Sequence, residues 1–162
     1  MINLKVEAEG VREVQESLSR AFSAFRKDYE EGIVSLTEQA LLLLKRLTPM
    51  SEKPGPHLAD MWEKVEKRDV NGWLELVSLT STTENPDLIW MLEKGTSAHE
   101  IFPKPGTRVL AFEVGGKTVF ARHVFHPGTK PYGFISATSA FLEQEIEELK
   151  AGIAEGIREE LG

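Results

Sequence analysis

Hydrophobic residues recur every three or four positions along the first third of the chain, from Val11 to Leu47. That spacing places them on one face of an α-helix. At a rise of about 1.5 Å per residue, the helix would be roughly 55 Å long. Thr48-Pro49 predicts its end, because the residue before a proline disfavours the helical conformation. Gly32, in the middle of the run, is a point where the helix could bend or divide.

The predicted helix is longer than one small domain needs, and two interpretations of the surplus remain open. In the first, part of its apolar face packs on another subunit. In the second, a kinked helix folds back over a sheet formed by its own chain.

Four segments have the pattern of β-strands. Ile2–Ala8 alternates apolar and polar residues, which predicts a half-buried strand. Trp73–Thr80 has the composition of a strand. Val109–Val114 and Lys117–Val124 flank Gly115-Gly116, and two glycines supply the positive φ angles that a tight hairpin requires.

The segment between the long helix and the hairpin is harder to assign. His57–Lys67 is compatible with either a short helix or an irregular strand. Asn85-Pro86-Asp87 predicts the start of a short helix, with proline in its first turn. Leu88–Lys94 would form the body of that helix, and Gly95 would end it.

A second long amphipathic helix is predicted at the C-terminal end of the sequence, with one apolar face formed by Leu142, Ile146, Leu149, Ile153, Ile157 and Leu161. The element order predicts one α+β domain over residues 1–162. In it, the long N-terminal helix and the C-terminal helix pack on an antiparallel β-sheet that includes the hairpin. We expect Trp73 in the core, and Trp62 and Trp90 either in the core or at an interface.

Charge is distributed unevenly along this acidic chain, whose net charge is -7. Ile101–Lys130 contains five basic residues against Glu113 alone, whereas Leu142–Gly162 contains seven glutamates against Lys150 and Arg158. The overall acidity disfavours a nucleic-acid binder, which needs clustered cations. The asymmetry fits either ordinary solvated faces or head-to-tail docking of a basic loop on the acidic helix of another copy.

Several classes of protein are excluded or disfavoured by what the sequence lacks. It has no cysteine, which excludes disulfides, thiol catalysis and cysteine-based zinc sites. Met1–Gly10 lacks a basic start followed by an apolar run, so we expect no signal peptide. No apolar stretch is long enough for a membrane span, so we expect no membrane partner.

Catalytic motifs are also missing. The serines stand in no G-x-S-x-G context, and neither phosphate-binding glycine motif occurs. His99, Glu100, His123 and His126 are the only closely spaced candidates for metal ligands, and they match no metal-site spacing. We therefore expect no enzyme activity, no cofactor and no metal. A metal-dependent hydrolase using the three histidines is the remote alternative.

Two short elements flank the predicted hairpin. Before it, Leu92–Thr96 contains an acid-x-Gly-Thr sequence, followed by the proline-containing loop Ile101–Lys104. After it, Val124–Thr129 contains His-Pro-Gly, and Pro131–Ile135 places aromatic residues just before the last helix. Following a long helix that ends at a proline, this order resembles the tail-completion proteins of long-tailed bacteriophages, also called head-tail joining, neck or minor tail proteins.

The resemblance covers the order of elements over nearly the whole chain, but its specific motifs cover about a third of it. Two places depart from the family pattern. Gly55–Leu58 stands where many members have Thr-Gly-x-Leu, and Ile89-Trp90 stands where many have Tyr-Ala.

The resemblance implies a structural protein of a phage or prophage virion, made in the cytoplasm of the host bacterium. It implies an α+β fold without catalytic residues or cofactor, and a hexameric ring of identical subunits. The ring would join the head connector or stopper to the tail tube, with DNA at most passing through it. The sequence does not separate a neck role from that of a tail-tube terminator or another minor tail protein.

Two groups of residues carry these expectations. The first consists of signature turns that we expect to determine the fold rather than to bind a partner: Glu93, Gly95, Thr96, His126, Pro127 and Gly128. Subunit or partner contacts are instead expected in the loops Ser51–His57 and Ser97–Arg108. The candidate contact residues there are Lys53, His57, His99, Lys104 and Arg108.

Overall fold

The structure is a computed structural model that describes residues 11–52 and 55–161. The strand expected over Ile2–Ala8 lies outside the described residues. The first described element is helix α1, Val11–Leu47, as the spacing of apolar residues predicts. It runs through Gly32 without interruption, so this glycine does not divide the helix.

Helix α3, Phe134–Leu161, runs antiparallel to α1. Its first residue packs against Leu44 near the end of α1, and Leu149 meets α1 at Gly32. A Cβ atom at Gly32 would lie 2.7 Å from the Cδ1 atom of Leu149. Gly32 therefore allows close approach of the two helices instead of breaking one of them.

The start of α3 differs from the start of its apolar pattern. The pattern begins at Leu142, whereas the helix begins at Phe134. Periodicity locates only the part of a helix that has a regular apolar face. The first turns of α3 instead pack in the core through Phe134, with Ile135 partly buried beside it and Thr138 buried.

Strands β1, Trp62–Arg68, and β2, Leu74–Ser81, form an antiparallel hairpin that packs on α1. A short 3-10 helix, Leu58–Met61, precedes β1. The ambiguous segment therefore contains a helical turn followed by a strand. Two ion pairs fasten the hairpin to α1: Lys64 Nζ lies 2.7 Å from Glu38 Oε1, and Arg68 Nη1 lies 3.3 Å from Glu30 Oε2.

The remaining elements follow in the order α2, β3, β4, β5 and β6: Pro86–Lys94, His99–Ile101, Leu110–Val114, Lys117–Ala121 and Val124–His126. Strand β3 pairs with β6, and β4 pairs with β5 across the expected Gly-Gly turn. The α+β class with two long helices is confirmed. Among the described residues, however, the strands form three separate two-stranded antiparallel sheets.

The centre of the core lies where α1, β1 and the start of α3 meet. It consists of Leu44, Trp62 and Phe134, with the rings of the two aromatic residues 6.3 Å apart in an edge-on arrangement. The Trp62 indole N–H donates a hydrogen bond of 3.0 Å to the hydroxyl of Thr48. Thr48 thus ends α1 and also satisfies the one polar group of the buried indole.

The three tryptophans occupy different environments. Trp62 is the core residue, and Trp90 is largely exposed. Trp73, which we expected in the core, is only half-buried. The guanidinium carbon of Arg26 lies 3.8 Å from the centroid of its ring, which is a cation–π contact at the surface.

Within the described ranges, no helix combines the length and the apolar character that crossing a membrane requires.

Candidate functional site

Glu93, the acid of the acid-x-Gly-Thr element, caps the N-terminus of α3. It is the last residue but one of α2, and only 2% of its surface is exposed. Its carboxylate accepts hydrogen bonds from the amide of Ile135 at 2.8 Å and from the amide of Ser136 at 3.1 Å. It also accepts one from the Ser136 hydroxyl. These amides belong to the first turn of α3, where no preceding helical carbonyl is available to accept their hydrogen bonds.

Two opposing effects act on the acidity of this carboxyl. Burial raises the pKa of Glu93, but the hydrogen bonds from the Ser136 hydroxyl and from the amides of Ile135 and Ser136 together outweigh it. Its pKa therefore lies below the ordinary glutamate value, and the ionised form caps the helix. The positive end of the helix dipole favours the same form.

Sequence reasoning named Glu93 only as part of a signature turn and missed its role as a cap. One signal was present. The first turn of α3 contains no acidic residue, and Gly133 precedes it without a side chain that could cap the helix. A helix without a local cap needs its amides satisfied from elsewhere in the fold.

The two signature elements, acid-x-Gly-Thr and His-Pro-Gly, meet close to the Glu93 cap. Thr96 and Thr129 form an antiparallel bridge in which each amide donates to the carbonyl oxygen of the other at 3.1 Å. Their hydroxyl oxygens are also 3.1 Å apart. We call this meeting point, residues 95–97 with 126–131, the junction. The sequence separates its two halves by about thirty residues, and the strands between them bring them together.

Both glycines of the junction are required because the backbone of the opposite half approaches them closely. Gly95 has φ +72° and Gly128 has φ +85°, a region that favours glycine. A Cβ atom on Gly95 would collide with the backbone oxygen of Thr129, and one on Gly128 with the backbone oxygen of Thr96. The colliding atoms are backbone, so no side-chain rotation could relieve either overlap.

Replacing Gly128 by alanine is expected to lower the free energy of unfolding by about 2–3 kcal/mol, because backbone strain and overlap act together. Gly115→Ala is a matched control, since Gly115 also has positive φ but no neighbouring atom lies within 4 Å of the place where its Cβ would stand. It should cost only about 1 kcal/mol. Urea denaturation followed by circular dichroism measures both, and equal losses would contradict the close-contact argument.

Beyond the junction the chain forms a projecting unit, residues 99–126, which we call the arm. It consists of the paired strands β3 and β6 and the hairpin of β4 and β5. None of its residues is buried. The arm nevertheless exposes eight large apolar side chains: Ile101, Phe102, Val109, Phe112, Val114, Val119, Phe120 and Phe125.

The arm is also basic. Lys104, Arg108, Lys117 and Arg122 outnumber its two acids. In the part of the chain that the structure describes, none of these four cations takes part in a salt bridge, although ion pairs are frequent on α1 and the β1–β2 hairpin. Their charges are therefore available to a partner. Three arm residues were expected to form contacts. Lys104 and Arg108 lie exposed in the loop between β3 and β4, and His99 lies exposed at the start of β3.

The histidines are only partly brought together. His99 and His126 face each other across β3 and β6 with ring centroids 5.2 Å apart, whereas His123 lies beside Phe102. The Nδ1 atom of His126 accepts the Gly128 amide at 3.1 Å, which makes His126 part of the junction turn. Among the described residues, no group of three or more histidines and carboxylates could hold a metal ion.

The second expected contact loop is only partly described. Lys53 lies outside the described residues. His57 is half-buried at the start of the 3-10 helix, and its Nδ1 atom has no hydrogen-bond partner among the described residues. Its role as a partner contact stays a prediction.

A second exposed apolar surface lies on the N-terminal half of α1. Val14, Leu18 and Phe22 are 58%, 50% and 70% exposed. Their spacing of four continues the face that packs on α3 further along the helix. We call these three residues the stripe. Thus two apolar surfaces, the arm and the stripe, are exposed among the described residues.

Comparison with known proteins adds no relative. No family model matches the chain, and no curated protein or solved structure shows significant similarity to it.

Proposed function

We propose that this protein is a structural component of a bacteriophage or prophage virion that completes the tail or neck. In this role, copies form a ring that joins the tail to the head connector. The alternative within the same class is a tail-tube terminator or another minor tail protein.

One observation carries the proposal: a projecting arm rich in apolar and basic residues is anchored by the two sequence elements on which the resemblance rests. Isolated two-stranded hairpins are marginally stable in water, and large exposed apolar patches mark interaction sites. An arm of this kind therefore suits a protein that works by assembly. The signature elements support the arm, because they provide the junction glycines and the Glu93 cap.

The gene can be interrupted in the phage or prophage genome that encodes it, and the lysate examined by electron microscopy. We expect DNA-filled heads beside separate or aberrant tails, because a missing joining ring blocks attachment. A plasmid copy of the gene should restore complete particles. Normal infectious particles from the interrupted genome would overturn the virion role.

A further inference from the structure

We infer that the arm of one copy docks on the middle of α3 in the next copy, so that a basic sheet covers an acidic helix. The inference rests on the proposed function in one respect: a ring of identical subunits requires a contact between two different surfaces. Because the arm and the helix differ, each copy keeps one surface of each kind for a further neighbour until the ring closes.

The β4–β5 hairpin has one apolar face. Directly paired residues of an antiparallel ladder share a face, and neighbours along a strand alternate, so this face is formed by Leu110, Phe112, Val114, Val119 and Ala121. Within the described ranges the hairpin packs chiefly on itself, and three of these side chains are exposed. A two-stranded sheet becomes stable when its apolar face packs on a helix, so the arm fits a helical partner surface.

Positive charge borders both ends of the apolar face. Lys117 lies on this face at the tip of the hairpin, where it pairs with Val114. Arg108 and Arg122 flank the two strands at the other end. None of the three cations takes part in a salt bridge among the described residues. Glu113, the one acid of the hairpin, belongs to the opposite face.

The middle of α3 offers a surface of the opposite charge. The face of the helix that points away from α1 contains the exposed residues Ala140, Gln144 and Ala151. Its alanines are short enough to let a sheet approach closely. Opposite charges around such a contact improve the rate and the specificity of docking. Three exposed glutamates border this face: Glu143, Glu147 and Glu148.

Neighbouring cations do not cancel this negative charge. Lys150 is the one cation of α3 before Arg158, and it is paired with Glu147 at 2.7 Å. Arg158 is about 21 Å from Gln144 along the helix axis. The part of α1 beside the middle of α3, residues 32–44, contains no lysine or arginine. A second copy of this chain therefore supplies the acidic helix that the basic arm fits.

Cysteine pairs can test this contact, because the natural chain contains no thiol. Val114→Cys protein is mixed with Gln144→Cys protein carrying a purification tag, at the highest concentration the protein tolerates. A short bismaleimide then joins thiols that lie close together. We expect a tagged heterodimer in several-fold excess over the same mixture made with Gln15→Cys, since Gln15 is also an exposed helical glutamine but lies near the start of α1. Thermal unfolding of each variant confirms that it is folded.

Charge reversal identifies the surface that the arm meets. Adding Lys117→Glu and Arg122→Glu to the arm variant should lower the yield of the heterodimer several-fold, because like charges then face each other. Adding Glu143→Lys and Glu148→Lys to the tagged protein should restore most of that yield. Reversals on two surfaces that do not meet could not compensate each other in this way.

Absence of the heterodimer, a product from the arm variant alone, or a yield that charge reversal leaves unchanged would overturn the contact. Salt-sensitive binding of a fluorescent DNA duplex without any heterodimer would assign the arm to nucleic acid and overturn it as well. This test uses purified protein and is separate from the interrupted-gene test. A heterodimer with normal particles sinks only the virion role, whereas aberrant particles without a heterodimer sink only the contact.

Discussion

Replacing Phe134 by alanine is expected to destabilise the protein more than any other single truncation in the described core. Phe134 is 1% exposed and packs on both Trp62 and Leu44. Truncation of a buried phenylalanine removes its transfer free energy and leaves a cavity, at a total cost of about 3–5 kcal/mol. For a chain of this size the midpoint of thermal unfolding should fall by roughly 6–20 °C.

The effect depends on burial, and Phe125→Ala is the matched control. Phe125 belongs to β6 in the arm and is mostly exposed. Its truncation should change the free energy of unfolding by no more than about 0.5 kcal/mol. Urea unfolding monitored by tryptophan fluorescence measures both variants. If the two lose similar stability, the core does not centre on Phe134.

Replacing Glu93 by alanine is expected to cost about 3–4 kcal/mol at neutral pH, because hydrogen bonds to charged groups and unsatisfied buried donors both carry a large free energy. The change removes a buried carboxylate that receives two amides and a hydroxyl, and it leaves the amides of Ile135 and Ser136 without their partner. Loss of the cap should also loosen the first turn of α3, which hydrogen exchange can measure.

Acid should reduce this difference between the natural protein and the variant. The folded-state pKa of Glu93 is lowered, so its contribution is complete above the unfolded value of about 4.3. The contribution is lost as the pH falls below that value through the folded-state pKa. Unfolding curves at a series of pH values should therefore converge in acid.

Glu84→Ala provides the comparison, because Glu84 is exposed in the loop before α2. It should change stability little at any pH. A Glu93→Ala loss that stays constant from neutral pH into acid would contradict capping by the ionised carboxylate.

The elements with a regular pattern were predictable because local sequence dictates them. The apolar spacing of α1 runs from Val11 to Leu47, and the helix has those bounds. The Gly-Gly turn produced the β4–β5 hairpin for the same reason, since only a few residue types adopt its backbone angles. Proline before Asp87 likewise marked the start of α2.

Where expectations differed from the structure, contacts distant in the sequence decided the outcome. Gly32 could bend a helix, but packing against Leu149 uses it for close approach. Strand composition cannot tell one sheet from three, because strand pairing depends on where the chain turns in space. Trp73 is a large aromatic residue of the kind expected in a core, yet it is only half-buried, with the Arg26 guanidinium over its ring.

By itself the sequence determined the α+β class, the long helices and the hairpin. It also determined the opposite charges of the basic segment Ile101–Lys130 and the acidic segment Leu142–Gly162. These follow from periodicity, turn residues and composition, which act over a few neighbouring positions. Only the tertiary structure showed that Glu93 caps α3, that Gly95 and Gly128 meet at one junction, and that the arm and the stripe are exposed among the described residues. Capping, close approach and burial all depend on which distant segments pack together, and packing is a property of the whole fold.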